Sequence, residues 1–468
     1  MNIVIVGNGI LGLTAAYKLI NRDKNISITI IGPDNNKGCA SLAAAAMFNS
    51  FAELDEHTLS NETDLKKFLF NKASTPIWPG LLQQLQEEWG KPIEHGFGTY
   101  IINNHISDSL EDENFDAIVH GLNQFNEPFE VIKPTSIPKY KPTAQGRAAR
   151  AIYINNEGWV NPISLMSALK DILLKSSKVN FVDGYCKNLH KEDNKISKII
   201  LEDGATVSGD IYLLAPGATF SKIINESDLE LDFLKIFYGV GCSLLLKTGA
   251  DTLPKCIRTP NRGLACGIYS APQNDQHTLV GASNFISPWP EDFARTTSVY
   301  TLLKSAMEQI NSDYYRSDLV KVNVGWRPTS EDTLPMLGKT SIPNLIVATG
   351  TKRDGLHCSP VISDYLADII LTGHSEQDMD MYAPEREPVR MYTREEAINI
   401  TVKHTINAAY QHDFVPAKNR MVDDLEKYYY DDLCKLHDKV GAFTWGIPPE
   451  MVNMYRYDHI KDRKKVLQ

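Results

Sequence analysis

The run NIVIVGNGILGLTAAYKLI, at residues 2–20, constrains the fold more than any other stretch of the chain. β-Branched residues at 3–6 read as a buried strand, and helical spacing follows from residue 10. Between them Gly7, Gly9 and Gly12 stand in G-x-G-x-x-G spacing, in the strand–turn–helix context that gives the motif meaning. Gly7 permits the tight turn, Gly9 lets backbone approach a pyrophosphate, and Gly12 lets the helix pack on the strand. The helix N-terminus offers unpaired N–H groups to an anion. The second β-branched run, ISITII, completes a β-α-β unit, and a bound dinucleotide is expected on it. The plain alternative is a chance glycine turn.

The ribose-binding acid that usually ends the second strand is displaced. That strand closes TIIGPD, so Gly32 and Pro33 occupy the expected place and Asp34 comes two residues late. Asp34 is either the ribose ligand or a solvated turn residue.

A chain of 468 residues exceeds one small domain. The α/β pattern lapses after residue 50 into short helices and strands. It returns in VNFVDGYCKNL…YLLAPGA, read as a three-stranded meander followed by a buried strand, and again in NLIVATG and the helix after it. The last part differs once more. TREEAINITVKHTINAAY opens with a capping-box spacing, Thr393 to Glu396, and MVDDLEKYYYDDLCKLHDKV reads as a second amphipathic helix.

Charge and cysteine usage exclude several classes. A formal charge of -10 argues against nucleic-acid binding. No run of about 18 apolar residues marks a membrane span. The first residues enter a strand directly, so no secretory leader is expected. The seven cysteines are scattered and never spaced C-x-x-C, which argues against a metal site or disulfide framework and favours a cytoplasmic setting.

Beyond the glycine turn, the order of motifs resembles the D-amino-acid-oxidase superfamily of FAD-dependent amine oxidases, glycine oxidase most of all. GCASLAAAAM is similar to the small-residue stretch that lies along the flavin, and EGWVNPISLMSAL to its D-G-x-x-[ND]-P element. YLLAPGAT is similar to the A-T-G strand, with Pro216 in place of Thr. VGWRPTSEDTLPMLG carries the complete G-x-R-P-x-x-x-D-x-x-P-x-x-G signature, and NLIVATGTKRDGLHCSP matches the strand–turn–helix that closes the flavin site.

The resemblance covers residues up to about 375 and implies three parts. An α/β, Rossmann-like FAD-binding domain is drawn from 1–50, 155–220 and 325–375. An inserted α+β substrate domain with a mixed antiparallel sheet comes from 51–154 and 221–324, and a helical C-terminal extension from 376–468. The implied flavin contacts, besides the three glycines and Asp34, are Ser41, Ala46, Met47, Cys186, Gly217, Gly350, Gly355 and Leu356. Relatives with covalent flavin use a Cys after the Arg-Pro signature or a His beside the Ser. This chain has neither at those places, which implies non-covalent FAD.

The resemblance also suggests the chemistry. Arg327 matches the arginine that grips the substrate carboxylate, a planar group suited to a guanidinium fork. Arg353 matches a second active-site arginine, and Tyr269 a tyrosine that closes over the substrate. Against these stand ordinary roles: a solvated cation for either arginine, a core aromatic for Tyr269. Lys352 reads as a solvated neighbour, and His357 and Cys358 as structural.

The implied reaction is hydride transfer from the α-carbon of a small amino acid or secondary amine to flavin N5. An imine or oxo acid results, with O2 as acceptor and H2O2 as product. The rival readings are a quinone-linked amino-acid dehydrogenase, an enzyme of tRNA-borne amines, and a flavoprotein maturation partner. The extension itself suits a helical cap, contact with a second copy, or a protein partner.

Overall fold

A computed structural model describes residues 1–106, 108–264, 266–411, 414–418 and 420–458. The opening run forms the strand Asn2–Val6 and the helix Ile10–Arg22. Successive side chains of this strand point to opposite faces, and both faces are covered. Ile3 and Ile5 enter a core shared with Leu13 and Ile362 of helices on one side. Val4 and Val6 enter a second core with Ile199 and Leu201 of a meander on the other. Burial on both faces is the reason the strand reads as a continuous apolar run.

This strand lies within a six-stranded sheet. Its order is Met336–Lys339, Leu345–Thr349, Ile211–Leu214, Asn2–Val6, Ser27–Ile31 and Val179–Val182, all parallel except the first. The helices Pro162–Lys175 and Ser359–Leu371 pack beside Ile10–Arg22 on one face. The expected meander, Cys186–Glu192, Lys195–Leu201 and Thr206–Val207, covers the other.

A second, ten-stranded sheet is mixed. Its pairs are antiparallel except for Cys256–Arg258 beside His95–Asn104. Its longest pairing sets Asp318–Ser330, which carries the Gly-Trp-Arg-Pro segment, along Ile236–Lys247, with Arg327 opposite Gly239 and Gly325 opposite Gly241. Met47–Phe48 and Ala148–Val160 also join this sheet, so the chain crosses between the two sheets near those points.

After Leu371 the chain forms the helices Arg394–Gln411, Arg420–Val440 and Val452–Asp458. The capping box closes as its spacing predicts: Thr393 N donates to Glu396 Oε2 at 2.8 Å, and Glu396 N to Thr393 Oγ1 at 3.3 Å. Ile398, Leu433, Ile447 and Met451 make a small core with Ile286 of the ten-stranded sheet. Arg386 anchors the start of this extension through a buried pair with Asp332 of the Arg-Pro signature, at 2.9 Å. Among the described residues, no helix is long and apolar enough to cross a membrane.

Candidate functional site

A long cavity follows the carboxyl ends of the parallel strands, where α/β sheets hold their ligands. Val6, Ile31, Ala215 and Ala348 lie along it, and the glycine turn forms one end. Gly7 has φ +115°, a conformation L-residues rarely adopt. A side chain on Gly12 would meet the Gly7 carbonyl, its Cβ only 3.0 Å from the carbonyl carbon and nearer to the oxygen. At Gly9 a Cβ would find only Ser41 Oγ, 3.7 Å away, so open space faces the turn.

The first helix starts at Gly9 with no side-chain cap, and Ile10 and Leu11 line the cavity. Ile10 N donates to Ser41 Oγ at 3.1 Å. A helix start whose own N-cap residue, Gly9, supplies no side chain, above a glycine cradle, suits a pyrophosphate, so these residues fit the nucleotide half of FAD.

Of the residues expected to contact the cofactor, Gly7, Gly9, Ser41, Cys186, Gly217, Gly355 and Leu356 line this cavity. Gly12 lies behind the turn as a packing residue, and Gly350, at φ +73°, shapes the far turn against Leu334 O. Ala46 is buried, and Met47 approaches Cys256 in the second sheet. Asp34 is not brought to the cavity. Its side chain is 69% exposed and pairs with Lys170 at 2.9 Å. The Gly32-Pro33 corner turns the chain outward before the acid arrives, and Asn8 occupies the space above Gly32, donating from Nδ2 to Pro33 O at 3.1 Å.

At the other end Arg327 and Arg353 line the same cavity. Arg327 Nη1 donates to Ser283 O and Asn284 Oδ1, each at 3.1 Å. Its guanidinium lies over Gly241, where a Cβ would stand 2.5 Å from Nη2 and closer still to Cζ and Nη1. Among the described residues, no carboxylate forms an ion pair with Arg327. Tyr269 is buried beneath this region in a strand, its hydroxyl against Gly281, and is not among the cavity-lining residues. Burial pushes its phenol up.

The turn after Leu345–Thr349 is stitched to the Arg-Pro strand, since Lys352 N donates to Pro328 O at 2.7 Å. Lys352 is not solvated, contrary to the reading of the sequence. Its side chain is 6% exposed and pairs with Glu450 of the C-terminal extension at 2.7 Å. Arg353 Nη1 donates to Cys266 Sγ at 2.8 Å, and its Nη2 lies 3.8 Å from Glu450 Oε1. Beside them, fully buried Arg258 pairs with Glu53, and Asp354 with Lys67 at 3.5 Å.

Burial pushes the Glu450 carboxyl up, but Lys352 and Arg353 overcome it and hold the group at about 2. Glu53 is likewise raised by burial and lowered further by Arg258 and Arg353, again to about 2. Lys352 is pushed down, first by burial and despite Glu450. The two partners are depressed for different reasons: Glu450 by the cations around it, Lys352 by burial first, with Arg353 and Lys67 adding to it. His357 and Cys358 are structural, as expected: His357 Nε2 meets Asn71 O at 2.8 Å and Cys358 Sγ donates to Asn71 Oδ1 at 3.0 Å.

Glu450, Glu53 and Arg258 escape a sequence reading because their partners are remote. Glu450 is 98 residues from Lys352. The available signal is a charged residue after two prolines, in GIPPEM, between apolar neighbours that pack inward.

Comparisons with known proteins find similarity over most of the chain. Glycine oxidase from Pseudomonas aeruginosa is 23% identical over 395 residues, covering 82% of this chain and 98% of that protein. The bifunctional protein ThiO/ThiG of Synechocystis sp. is 24% identical over 392 residues, and this chain spans only about half of it, 54%. The crystal structure of glycine oxidase from Geobacillus kaustophilus superposes with a TM-score of 0.69 at 20% identity, covering 82% of this chain and 98% of that one, and so shares the fold. The sequence model of the FAD dependent oxidoreductase family, DAO, matches residues 2–369, and the chain belongs to that family.

Proposed function

We propose that this protein is an oxidase of a small amino acid or secondary amine, with FAD held non-covalently. The observation that carries this reading is Arg327: a tethered guanidinium with no carboxylate partner among the described residues, facing the same cavity as the glycine turn. Its fork matches a carboxylate in plane and spacing. The missing side chain at Gly241 provides the floor on which it lies.

FAD, when bound, supplies the acceptor for the hydride of the substrate α-carbon, with O2 as final oxidant and H2O2 as product. The protein's part is placement. Ser283 and Asn284 fix the Arg327 fork, Arg327 fixes the carboxylate, and the α-carbon is thereby held in one orientation. The turn at Gly355 and Leu356 closes the cavity at the start of the Ser359–Leu371 helix, whose N-terminal end favours negative charge nearby. Seven free cysteines support a reducing, cytoplasmic setting. The outer face of the extension, with exposed Tyr428 and Phe443, suits contact with a second copy or a protein partner.

The test is anaerobic addition of small amino and imino acids, one at a time, to the FAD-loaded protein. Bleaching by one of them, then recolouring in air with peroxide released, is the expected result. Bleaching without peroxide on reoxidation points instead to the quinone-linked dehydrogenase. A flavin that no amine reduces overturns the proposal.

A further inference from the structure

Two cationic side chains from the turn and one from the Arg-Pro strand line the cavity. Left unpaired, they would present a surface suited to more than one carboxylate. The three carboxylates paired with the turn's cluster come from different places. Glu53 and Asp354 belong to the part of the chain matched by the family, whereas Glu450 lies beyond it, in the extension.

Glu450 is delivered rigidly. Pro448 and Pro449 precede it, fixing their own φ angles. Ile447 and Met451 on either side are fully buried in the extension's core. Ile447 N donates to His437 Nε2 at 3.1 Å, and Gly446 N to Tyr392 O at 2.9 Å. From this mount Oε1 takes Lys352 at 2.7 Å and stands 3.8 Å from Arg353, while Oε2 is buried with no hydrogen-bond partner among the described residues.

We infer that Glu450 is a specificity-determining residue: by occupying Lys352 and Arg353 it leaves Arg327 as the single carboxylate anchor and restricts the site to amines bearing one carboxylate. This rests on the reading of Arg327 given above. The extension thus acts on the site from within the same chain, through the charge of one side chain.

The test is equilibrium titration of the FAD-loaded protein with acetate and with malonate, following the perturbation of the flavin absorption bands. Wild type is expected to prefer acetate. E450Q is expected to bind malonate about tenfold tighter or more, with acetate little changed, because the negative charge opposing Lys352 and Arg353 is gone and both cations can attract the second carboxylate. E450D, which keeps the charge, is expected to restore the wild-type ratio, which a merely structural role for the side chain would not require.

Should E450Q fail to hold FAD, the double variant K352M/E450Q removes the buried pair together, and the malonate-to-acetate ratio must still rise. An unchanged ratio in a protein that responds to acetate overturns this inference alone. A wild-type flavin unresponsive to both anions overturns the role of Arg327 and this inference with it.

Discussion

Replacing Gly241 with alanine adds one methyl group and is expected to cost binding without costing the fold. A Cβ at Gly241 would stand 2.5 Å from Arg327 Nη2. Nη1 and Cζ would be nearer still, and ordinary contact begins at about 3.5 Å, so the guanidinium has to retreat by more than about 1 Å. The clash is with the far end of a flexible side chain, and Gly241 is not among the positive-φ glycines, so the backbone tolerates alanine. Stability is therefore expected to change by no more than about 1 kcal/mol.

The fork, however, is held at Nη1 by Ser283 and Asn284. Moving it forfeits at least one charge-assisted hydrogen bond to a bound carboxylate, worth about 1.5–3 kcal/mol, or roughly 10- to 150-fold in affinity. The assays are acetate titration of the flavin spectrum and kcat/KM with whichever amine reduces the enzyme, alongside a thermal melt. Acetate affinity within about twofold of wild type, in a variant that melts normally, would refute the placement of the carboxylate on Arg327.

Gly12→Ala is expected to abolish flavin retention, because its Cβ would press on the rigid Gly7 carbonyl and open the pyrophosphate turn; a wild-type flavin-to-protein absorbance ratio after purification would contradict this. The pH dependence of stability carries a signature of Glu157, whose Oε1 accepts from the N–H groups of Ser50 and Phe51 while Oε2 has no hydrogen-bond partner among the described residues. Burial raises this carboxyl from 4.5 to about 7. A group raised in the folded state binds its proton there longer than in the unfolded chain, so it costs stability as pH climbs from 4.5 to 7. Glu157→Gln is therefore expected to gain stability relative to wild type across that window; chemical-denaturation curves that stay parallel from pH 4.5 to 7 would count against it.

The local signals in the sequence were strong wherever one element carried the whole message. The glycine turn, the β-branched strands of the parallel sheet, the meander after residue 185 and the Thr393–Glu396 capping box each depend on neighbours within a few residues, and each is present in the structure. Asp34 shows where such reasoning ends. Its distance from the glycines left it either a ribose ligand or a solvated turn residue, and the fold sets it on the surface against Lys170. Lys352 shows the opposite failure. A lysine in a glycine-rich turn reads as solvated, because composition cannot reveal a carboxylate arriving from residue 450.

By itself, then, the sequence determined the dinucleotide cradle, the family signature that carries Arg327, and the helices of the extension. All are short-range patterns of periodicity, glycine geometry and capping. The tertiary structure alone decided which charges face the cavity and which are neutralised. That outcome depends on long-range pairing: Arg327 over Gly241, 86 positions earlier in the chain, and Lys352 against Glu450, 98 later. Charge at a site is set by what is folded against it, because in a desolvated environment a single opposing carboxylate changes which ligand a cation can hold.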